Sequence, residues 1–332
     1  MNMRIHSPMA RGNGAHVVHK MLESGIKGYQ VCSYNPWWTL FPPALRTQCP
    51  NHNADIIHTT PDYALFSACR NASLVITFHN YVLDSFMAPY SSVLQQLHYR
   101  TDLKWFTRAS VRLASVITAV SRYTAELVSN ELQLGARLRI IYNGIDETRF
   151  TPNHAGKPGK SVRVLFCGNL SSRKGADLLP DIARQLDPGI ELLYTTGLRS
   201  GHRLPDSPAL KCVGSIAHEI MPELYNSVDM LLFPTVREGL SLAVLEAMAC
   251  GLPIITTDCA SMPELVDDAS GGYLCPAGDA PAFAARINEL ANMPMLRKEM
   301  SAYNRARIET DFTRTRMIRE YLDLFEQVAG TA

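Results

Sequence analysis

Short apolar runs alternate with helical patterns along nearly all of the chain. In the first half, the runs that predict buried parallel strands are ADIIHTT, SLVITFHN, SVITAVS and LRIIYNG. In the second half they are VRVLFCG, IELLYTT, DMLLFPT and LPIITTD. Helical spacing dominates 92–114 and 122–132. Strands that alternate with helices favour parallel sheets with right-handed crossovers. We therefore predict an α/β protein with two Rossmann-like domains facing a central cleft.

A break in this pattern divides the chain. The segment TPNHAGKPGK at 151–160 contains two Pro and two Gly and no strand or helix pattern, as expected for an interdomain linker. We predict an N-terminal domain over 1–152, a linker over 153–160 and a C-terminal domain over 161–311. The remaining residues, 312–332, form an amphipathic helix, for which packing back on the N-terminal domain is one option.

Composition and charge exclude several classes of protein. The chain is 46% hydrophobic and 19% charged, which is typical of a globular protein rather than a disordered one. No apolar run approaches the ~18 residues of a membrane span, and the first residues lack a signal-peptide core. We expect a cytoplasmic protein, with the inner face of the cytoplasmic membrane as a second option. The eight cysteines show no metal-finger spacing, and most are interpreted as small buried hydrophobes in a reducing compartment.

The net charge of +1 is unevenly distributed. Residues 1–150 contain 14 Lys and Arg against 9 Asp and Glu, whereas residues 151–332 contain 18 against 22. All three tryptophans also lie in the first half. The imbalance suggests that the halves have different tasks, but it is far too small to indicate binding to nucleic acid.

Two common nucleotide-binding motifs are matched only in part. Gly12-Asn13-Gly14 resembles the start of a dinucleotide fingerprint, but Val17 stands where the third glycine belongs. Gly159-Lys160-Ser161 resembles the end of a P-loop, but a strand follows it where a helix is required. Neither motif is therefore accepted.

The most informative segment is FPTVREGLSLAVLEAMACGLPIITTD at 233–258. It predicts a strand, a short loop and a helix that starts near Gly239, where the amides of Gly239, Leu240 and Ser241 would bind an anion. Glu238 and Glu246 lie eight residues apart, about 12 Å along a helix. Taken alone, this pair of glutamates is common by chance, but the glycine and the apolar helix around it make chance a poor explanation.

These segments together resemble the retaining glycosyltransferases of family 4, which have the two-domain GT-B fold. The resemblance covers nearly the whole chain. It is carried by ITFHN at 76–80, ITAVSRYTAELV at 117–128, IYNGIDETRFTP at 141–152, VLFCGNLSSRKGADLL at 164–179, EGLSLAVLEAMACGLPII at 238–255 and SMPELVDD at 261–268. It implies a nucleotide-sugar donor bound by the C-terminal domain and an acceptor bound by the N-terminal one.

The resemblance also assigns roles to residues of the C-terminal domain. Glu238 would contact the donor sugar, Glu246 would bind the ribose hydroxyls, and the amides of 239–241 would meet the sugar or the diphosphate. Arg173 and Lys174 would neutralise the leaving diphosphate, beside the turn at Gly168 and Asn169. Many members of the family have arginine where this chain has Asn169, so the guanidinium role passes to Arg173. Without the resemblance, the pair would be interpreted as a solvated basic loop.

In the N-terminal domain, the resemblance assigns a role to His79 and to the first loop. His79 follows the strand SLVITF and would contact the donor sugar near its reacting end, although a lone histidine at such a position is more often a packed residue. The glycines of the first loop, Gly12 and Gly14, would let the backbone approach the phosphate and the acceptor.

Basic and aromatic residues of the first half suggest a second surface. Four cations lie at i, i+4, i+8 and i+12 on the helix around 99–115, opposite Leu103, Phe106 and Leu113; they are Arg100, Lys104, Arg108 and Arg112. A solvated helix face is one interpretation. The other is contact with anionic lipid or a lipid-linked acceptor, with Trp105 at the edge. Trp37 and Trp38 lie in a Pro-rich loop, where stacking on a sugar or acyl chain competes with core packing.

The expected reaction follows from the resemblance and from one absent motif. No Asp-x-Asp sequence occurs in the chain, so we predict no metal and no cofactor beyond the nucleotide-sugar substrate, and the family's stereochemistry is retention. We predict transfer of a sugar to a glycan or lipid-linked acceptor in cell-surface polysaccharide synthesis, with a weak preference for GDP-mannose. The alternatives are a GT-B sugar-nucleotide epimerase, a glycosyltransferase for a small metabolite, and an inactive partner subunit that keeps the fold.

Overall fold

The computed structural model describes residues 3–50, 53–134, 137–153, 161–197, 204–205 and 207–330. The chain divides into two compact units. The first comprises Met1–Gly144 together with Arg314–Ala332, and the second comprises Ile145–Thr313. The division therefore falls before the predicted linker, of which residues 154–160 lie outside the described residues. The two α/β units that the sequence predicts are therefore present in the structure.

The first unit contains a six-stranded parallel sheet in the order β2-β1-β3-β4-β5-β6. Its strands are β1 (Ile5–Ala10), β2 (Tyr29–Tyr34), β3 (Ile56–Thr59), β4 (Ser73–Phe78), β5 (Val116–Ala119) and β6 (Leu138–Ile140). Its helices before residue 144 are α1 (Gly14–Gly25), α2 (Leu45–Gln48), α3 (Val93–His98), α4 (Lys104–Leu113) and α5 (Arg122–Leu132). Strands β3 to β5 are buried along nearly all of their length, as expected for a parallel sheet covered on both faces.

The second unit contains a parallel sheet of six strands in the order β12-β11-β10-β7-β8-β9. Its strands are β7 (Val162–Phe166), β8 (Ile190–Thr195), β9 (Leu210–Gly214), β10 (Met230–Phe233), β11 (Ile254–Thr257) and β12 (Gly272–Cys275). Its helices are α6 (Leu179–Ala183), α7 (Met221–Asn226), α8 (Leu242–Ala249), α9 (Met262–Leu265), α10 (Ala280–Asn292) and α11 (Pro294–Asp311). The strand order reverses between β7 and β10. In open parallel sheets, ligands bind beyond the carboxyl ends of the strands at that point.

The last helix of the chain, α12 (Arg314–Gly330), belongs to the first unit. Met317, Tyr321, Leu324, Phe325 and Val328 recur at helical spacing and are buried. Tyr321 also reaches the hydroxyl of Thr77 in β4, at 3.2 Å between the two oxygens. None of the helices in the described part of the chain is long and apolar enough to cross a membrane.

Two cysteines depart from the predicted reduced state. Cys32 at β2 and Cys49 after α2 form a disulfide, with their Cα atoms 5.8 Å apart. The other six cysteines are free thiols. Cys250 and Cys275 are buried, as the sequence predicts, but Cys69 is exposed. The spacing of Cys32 and Cys49 gave no signal of a pair, because the intervening segment folds back only in the tertiary structure.

Candidate functional site

The loops after β7 and β10 meet at the reversal point of the second sheet. Gly175 has φ of +73°, and a Cβ built on it would lie 2.2 Å from the carbonyl oxygen of Pro234. The amide of Val236 and the hydroxyl of Thr235 both donate to the carbonyl of Arg173, at 3.0 and 3.1 Å. Only a glycine permits this approach, and the approach fixes both loops relative to each other.

Three charged side chains converge where these loops touch. The Nζ of Lys174 lies 2.6 Å from Oε1 of Glu238, and Nη1 of Arg173 lies 3.0 Å from the same oxygen. The Glu238 side chain is only 14% exposed. Burial by itself raises the pKa of Glu238, but the adjacent charges and hydrogen bonds of Lys174 and Arg173 outweigh it and lower the pKa. Glu238 is therefore a carboxylate, neutralised by two cations.

Further contacts hold each member of this cluster in place. Nη1 of Arg173 donates to the carbonyl of Arg237 at 2.5 Å, and Nζ of Lys174 lies 4.7 Å from the centre of the Phe233 ring. The hydroxyl of Ser261, at the start of the SMPEL segment, donates to the carbonyl of Glu238 at 3.2 Å. These contacts hold the side chains of Arg173, Lys174 and Glu238 in a fixed orientation before a ligand binds.

The helix after Glu238 starts later than the sequence predicted. Ser241 is the N-cap of α8, its hydroxyl accepting from the amide of Val244, and Gly239 and Leu240 lie in the preceding loop. The 12 Å spacing derived for a continuous helix between the two glutamates therefore does not apply. The cause is the cap: a serine side chain that bonds three residues ahead ends the loop at its own position. The N-terminus of α8 still lies at the reversal point of the second sheet, so the helix dipole can stabilise an anion bound there.

Glu246 lies on α8 and is held by two residues that sequence analysis missed. Nε2 of His218 lies 2.9 Å from Oε1 of Glu246, and the hydroxyl of Tyr225 donates to Oε2 at 3.0 Å. The Glu246 side chain is 8% exposed and that of His218 is 43% exposed. His218 lies before α7 in a segment without a motif, so its place beside Glu246 depends on the packing of α7 against α8.

The other residues predicted to bind the donor, Gly168 and Asn169, lie in the loop after β7. Gly168 has φ of +147° and its amide donates to the hydroxyl of Thr195 at 3.1 Å. Asn169 packs against Gly197, where a Cβ would lie 2.4 Å from the Asn169 side-chain oxygen. Both residues therefore belong to the structural frame of the loop after β7. Neither carries a charge, so the positive charge on this loop comes from Arg173 and Lys174.

The predicted residues of the first unit lie at strand ends. Gly12 has φ of +79° in the turn after β1, and Asn13 caps α1 by accepting from the amide of His16 at 2.8 Å. Gly14 is the first residue of α1. His79 directly follows β4, and Nε2 of its ring lies 3.2 Å from Nε2 of His19. Burial lowers the pKa of His79 to about 3, so this ring is neutral at neutral pH.

The basic stripe of the first unit is interrupted near its start. Residues Tyr99–Leu103 form a π-helical turn, so the predicted α-helical spacing applies only from Lys104 onward. Arg100, Arg108 and Arg112 are exposed and Lys104 is half-buried. Leu103 is buried and Phe106 packs on Phe66, but Leu113, which was assigned to the packed side, is 52% exposed.

Aromatic and aliphatic side chains of the first unit are also exposed. Trp37 is 74% exposed and Trp105 is 61% exposed, and Trp38 is also exposed. Trp37 and Trp38 are therefore not packed in the core, which was one of the two interpretations of their loop. Sequence analysis missed three exposed residues of α3, which are Val93, Leu94 and Leu97. A sequence pattern shows that the two faces of a helix differ in polarity, but not which face is covered by the rest of the fold. In α3 these three apolar residues are exposed.

No arrangement for a metal ion is found in the parts of the chain that the structure describes. Among those residues, no group of three or more His, Cys, Asp or Glu side chains is placed to bind one. The groups with the chemistry to hold a ligand are instead the cations Arg173 and Lys174 and the carboxylates Glu238 and Glu246, which suit an anion beside a polyhydroxylated group.

Two family models match consecutive parts of the chain. The model for glycosyltransferase family 4 matches residues 6–149, and the model for glycosyl transferases group 1 matches residues 161–293. Together they cover most of the sequence. They meet across the predicted linker and correspond to the two α/β units.

Among curated relatives, the putative colanic acid biosynthesis glycosyltransferase WcaL of Salmonella typhimurium is 29% identical, over 58% of this chain and 52% of that protein. The alpha-maltose-1-phosphate synthase of Mycolicibacterium smegmatis is 26% identical, over 68% of this chain and 66% of the relative. The chain thus spans about half to two thirds of the length of these relatives.

Solved structures share the fold over the whole chain. The sucrose-phosphate synthase from Thermosynechococcus elongatus has a TM-score of 0.83 at 18% identity, with 99% of this chain and 100% of that chain covered. Anabaena Alr3699/HepE in complex with UDP-glucose has a TM-score of 0.73 at 18% identity, with 98% and 100% covered. The two parallel six-stranded sheets, together with the similarity to these solved structures, identify the GT-B fold. From the two matched models and this fold, the chain belongs to the glycosyltransferases in which a family 4 domain is followed by a group 1 domain.

Proposed function

We propose that the chain is a retaining glycosyltransferase that transfers a sugar from a nucleotide diphosphate sugar, without a metal ion, to a glycan or lipid-linked acceptor of cell-surface polysaccharide synthesis. The observation that carries the proposal is the convergence of Lys174, Arg173 and Glu238 at the reversal point of the second sheet. A similarity to WcaL, whose name refers to colanic acid biosynthesis, supports the choice of acceptor class.

Lys174 and Arg173 serve as the diphosphate clamp. An ammonium group has three N–H donors and a guanidinium has five, so both cations can contact Glu238 and a phosphate oxygen at once. As the bond to the sugar breaks, negative charge grows on the leaving diphosphate, and fixed positive charges lower the energy of that state. This task is the one that a bound divalent ion performs in enzymes with a carboxylate platform.

Glu238 orients the transferred sugar, and Glu246 binds the nucleotide. A carboxylate whose negative charge is fixed by two cations accepts hydrogen bonds from sugar hydroxyls without taking up a proton. Glu246, held by His218 and Tyr225, has the two oxygens needed to accept from both ribose hydroxyls. His79, neutral at neutral pH, hydrogen-bonds the transferred sugar. In this proposal none of these residues is a nucleophile, and the leaving diphosphate accepts the proton of the acceptor hydroxyl.

The first experiment is a thermal-shift measurement with UDP, GDP, ADP and CMP, each with and without EDTA. A ligand at ~100 times its Kd should add about 2.7 kcal/mol to the stability of the native state. We expect one nucleoside diphosphate to raise the melting temperature to the same extent in EDTA. A shift that EDTA abolishes would contradict the metal-free proposal, and no shift with any of the four would contradict donor binding.

Stereochemistry is tested separately once the donor is known. The anomeric configuration of the product, read from its proton coupling constants by NMR, should equal that of the donor sugar. An inverted product would contradict retention while leaving glycosyl transfer in place.

A small-metabolite acceptor is the second candidate. It is favoured by the similarity to the alpha-maltose-1-phosphate synthase, whose name describes a phosphorylated sugar as product. Donor turnover should then be stimulated by soluble sugar phosphates. If the main proposal holds, only membrane extracts that contain lipid-linked glycans stimulate it.

The exposed apolar and basic side chains of the first unit support peripheral contact with anionic lipid. Val93 and Leu94 are about 80% exposed on α3, and Arg100 and Arg108 follow on the same continuous helical segment. Peripheral binding to a membrane depends on two contributions. Apolar side chains enter the lipid headgroup layer, and neighbouring cations attract anionic lipid.

Co-sedimentation with phosphatidylglycerol-containing vesicles tests this contact. The triple variant of Arg100, Lys104 and Arg108 to Ser and the pair Val93→Ser and Leu94→Ser should each reduce the bound fraction. The control is Arg184→Ser with Lys211→Ser, two exposed cations of the second unit. Equal binding by all four proteins would remove the membrane surface from the proposal.

A further inference from the structure

One arginine connects the segment IYNGIDETRFTP at 141–152 to the carboxylate of Glu246. Nη2 of Arg149 donates to the carbonyl of His218 at 2.5 Å, and Nη1 of the same guanidinium lies 3.4 Å from Nδ1 of the His218 ring. Nε2 of that ring lies 2.9 Å from Oε1 of Glu246. Arg149, His218 and Glu246 therefore form a row of side chains within the second unit.

The turn that carries Arg149 is held by several hydrogen bonds. The amides of Arg149 and Phe150 donate to the carbonyl of Asp146 at 3.2 and 2.9 Å, and the hydroxyl of Thr148 donates to the Asp146 carboxylate at 2.7 Å. Arg305 of α11 donates to the carbonyl of Phe150 at 2.8 Å. The Phe150 ring is buried, and the guanidinium of Arg149 lies 5.1 Å from its centre. Arg149 therefore extends from a fixed backbone, and its two contacts with His218 hold both the main chain and the ring of that residue.

The direction of the hydrogen bonds in this row is fixed at both ends. A guanidinium can only donate, so Nδ1 of His218 accepts from Arg149. An ionised carboxylate can only accept, so Nε2 of His218 donates to Glu246. With the ring proton at Nδ1 instead, two N–H groups would face each other and a nitrogen lone pair would face the carboxylate. Only the neutral Nε2–H form of His218 satisfies both contacts.

Glu246 receives one hydrogen bond from the protein on each of its oxygens. His218 donates to Oε1, and the hydroxyl of Tyr225 donates to Oε2 at 3.0 Å. Burial raises the pKa of Tyr225 well above its usual value, so this hydroxyl keeps its proton. A carboxylate has about four lone-pair positions, so one position on each oxygen remains for a ligand. Tyr225 is fully buried and fixed by packing, whereas the side chain of His218 is 43% exposed and depends on Arg149 for its position.

We propose that Arg149 is a positioning residue of the nucleotide site, which fixes the ring of His218 on Oε1 of Glu246 and so directs the remaining lone pair of each Glu246 oxygen toward the two ribose hydroxyls. The inference rests on the proposed function in taking Glu246 as the ribose-binding carboxylate. Its consequence is selectivity at a distance. Arg149 contributes to the preference of the site for a ribonucleoside diphosphate over its 2′,3′-dideoxy analogue, although its own bonds go to His218.

The first test compares ligands with and without ribose hydroxyls. Calorimetric titration gives the Kd of UDP, GDP and ADP and of their 2′,3′-dideoxy analogues for the wild type, Arg149→Met, His218→Leu and the double variant. Methionine keeps much of the aliphatic length of arginine but has no N–H donor. The control is Arg184→Met, which removes an exposed arginine of the same unit that pairs with Asp181.

We expect a loss that is confined to the ligand with ribose hydroxyls. For the diphosphate that binds, Arg149→Met should raise the Kd about fivefold and leave the Kd of the dideoxy analogue within about twofold, as for one weakened hydrogen bond. His218→Leu should show the same selective loss, and the double variant should lose no more than the larger single loss, because Arg149 acts through His218. His218→Gln, whose amide can donate from the Nε2 position, should recover most of the affinity that His218→Leu loses. Arg184→Met should bind both ligands normally.

The second test needs no nucleotide. In the full chain labelled with ¹⁵N at histidine, the ring of wild-type His218 should carry its proton at Nε2, with the signal assigned by its loss in His218→Gln. Exchange of this proton with water requires the bond to Glu246 to open. Arg149→Met should therefore speed the exchange about fivefold, whereas Arg184→Met should leave it at the wild-type rate.

A proton at Nδ1 of wild-type His218 would overturn the proposal, as would equal exchange rates in Arg149→Met and Arg184→Met. Equal losses for the ribose and dideoxy ligands would reduce Arg149 to a structural residue, and additive losses in the double variant would separate it from His218; either result overturns the proposal. If none of the three diphosphates binds, the proposed function fails and the ribose selectivity fails with it. The exchange rates then still decide whether Arg149 holds His218 on Glu246.

Discussion

Nζ of Lys174 lies 2.6 Å from Oε1 of Glu238 and joins two loops that are more than sixty residues apart in sequence. Lys174 comes from the loop after β7 and Glu238 from the loop after β10, the two strands between which the order of the second sheet reverses. The cation proposed to bind the diphosphate is thus held by the carboxylate proposed to bind the sugar. One ion pair connects the two halves of the proposed donor site.

Replacing Lys174 by Met should lower kcat by about 100-fold to 1000-fold, because a fixed positive charge near the leaving group is lost. Steady-state kinetics with the donor found by thermal shift measures this. The matched control is Lys211→Met, which removes a lysine from an exposed pair with Glu191 and should cost less than about 1 kcal/mol of stability. If the Lys174 variant kept full kcat, the clamp would have to lie elsewhere.

Glu246→Gln keeps the size of the side chain but removes its charge. Hydrogen bonds to a charged group contribute about 1.5–3 kcal/mol, so the Kd for the nucleoside diphosphate should rise about tenfold to a hundredfold, with a smaller change in kcat. Calorimetric titration measures it. Glu289→Gln, which alters a carboxylate bonded to Tyr273 and Arg286 in the same unit, serves as control and should bind normally. Equal affinity in both variants would exclude Glu246 from nucleotide binding.

Gly175→Ala tests the close approach of the two loops. Both Gly175 and Gly189 have positive φ, but only at Gly175 would a Cβ meet another backbone atom, the carbonyl oxygen of Pro234. Each substitution incurs about 1–2 kcal/mol for the left-handed backbone, and overpacking adds about 1–3 kcal/mol at Gly175 alone. Urea denaturation should show the larger loss for Gly175→Ala. Equal losses would mean that the loops separate easily.

The first unit should become less stable as the pH falls below about 6.5. The unfolded chain binds protons at His19, His58 and His79 around that pH, whereas the folded unit, in which burial depresses all three pKa values, does not. Between pH 7.5 and 5.5 each histidine should reduce the free energy of unfolding by about 1.3 kcal/mol. The loss continues with further acidification, for His79 down to a pH of about 3, where the folded form is protonated as well.

Tryptophan fluorescence during urea denaturation at the two pH values measures this change, because all three tryptophans lie in the first unit. Burial raises the pKa of Asp62 in the first unit to about 6, so the folded form takes up this proton in the same window and offsets about 0.8 kcal/mol of the loss. The net expectation is therefore a loss smaller than the three histidines alone would give. An unfolding midpoint that does not move between pH 7.5 and 5.5 would contradict neutral buried histidines.

The disulfide between Cys32 and Cys49 can be tested by counting thiols. Alkylation of the denatured protein without reductant should label six of the eight cysteines, and prior reduction should expose all eight. Eight labelled cysteines without reductant would restore the reduced state that the sequence predicted.

The sequence by itself determined the two α/β units, because alternating apolar runs and helical spacing are local patterns that a parallel sheet requires. It also singled out Glu238, Arg173 and Lys174 as candidates for a donor site, and the structure brings their side chains together because they adjoin strands whose carboxyl ends meet at one edge. What only the tertiary structure decided are contacts between distant segments. His218 reaches Glu246 through the packing of α7 on α8, and His19 reaches His79 because α1 packs beside β4's end. Cys32 meets Cys49 where the chain folds back. No local pattern specifies such pairs, because each depends on how two separate elements pack together.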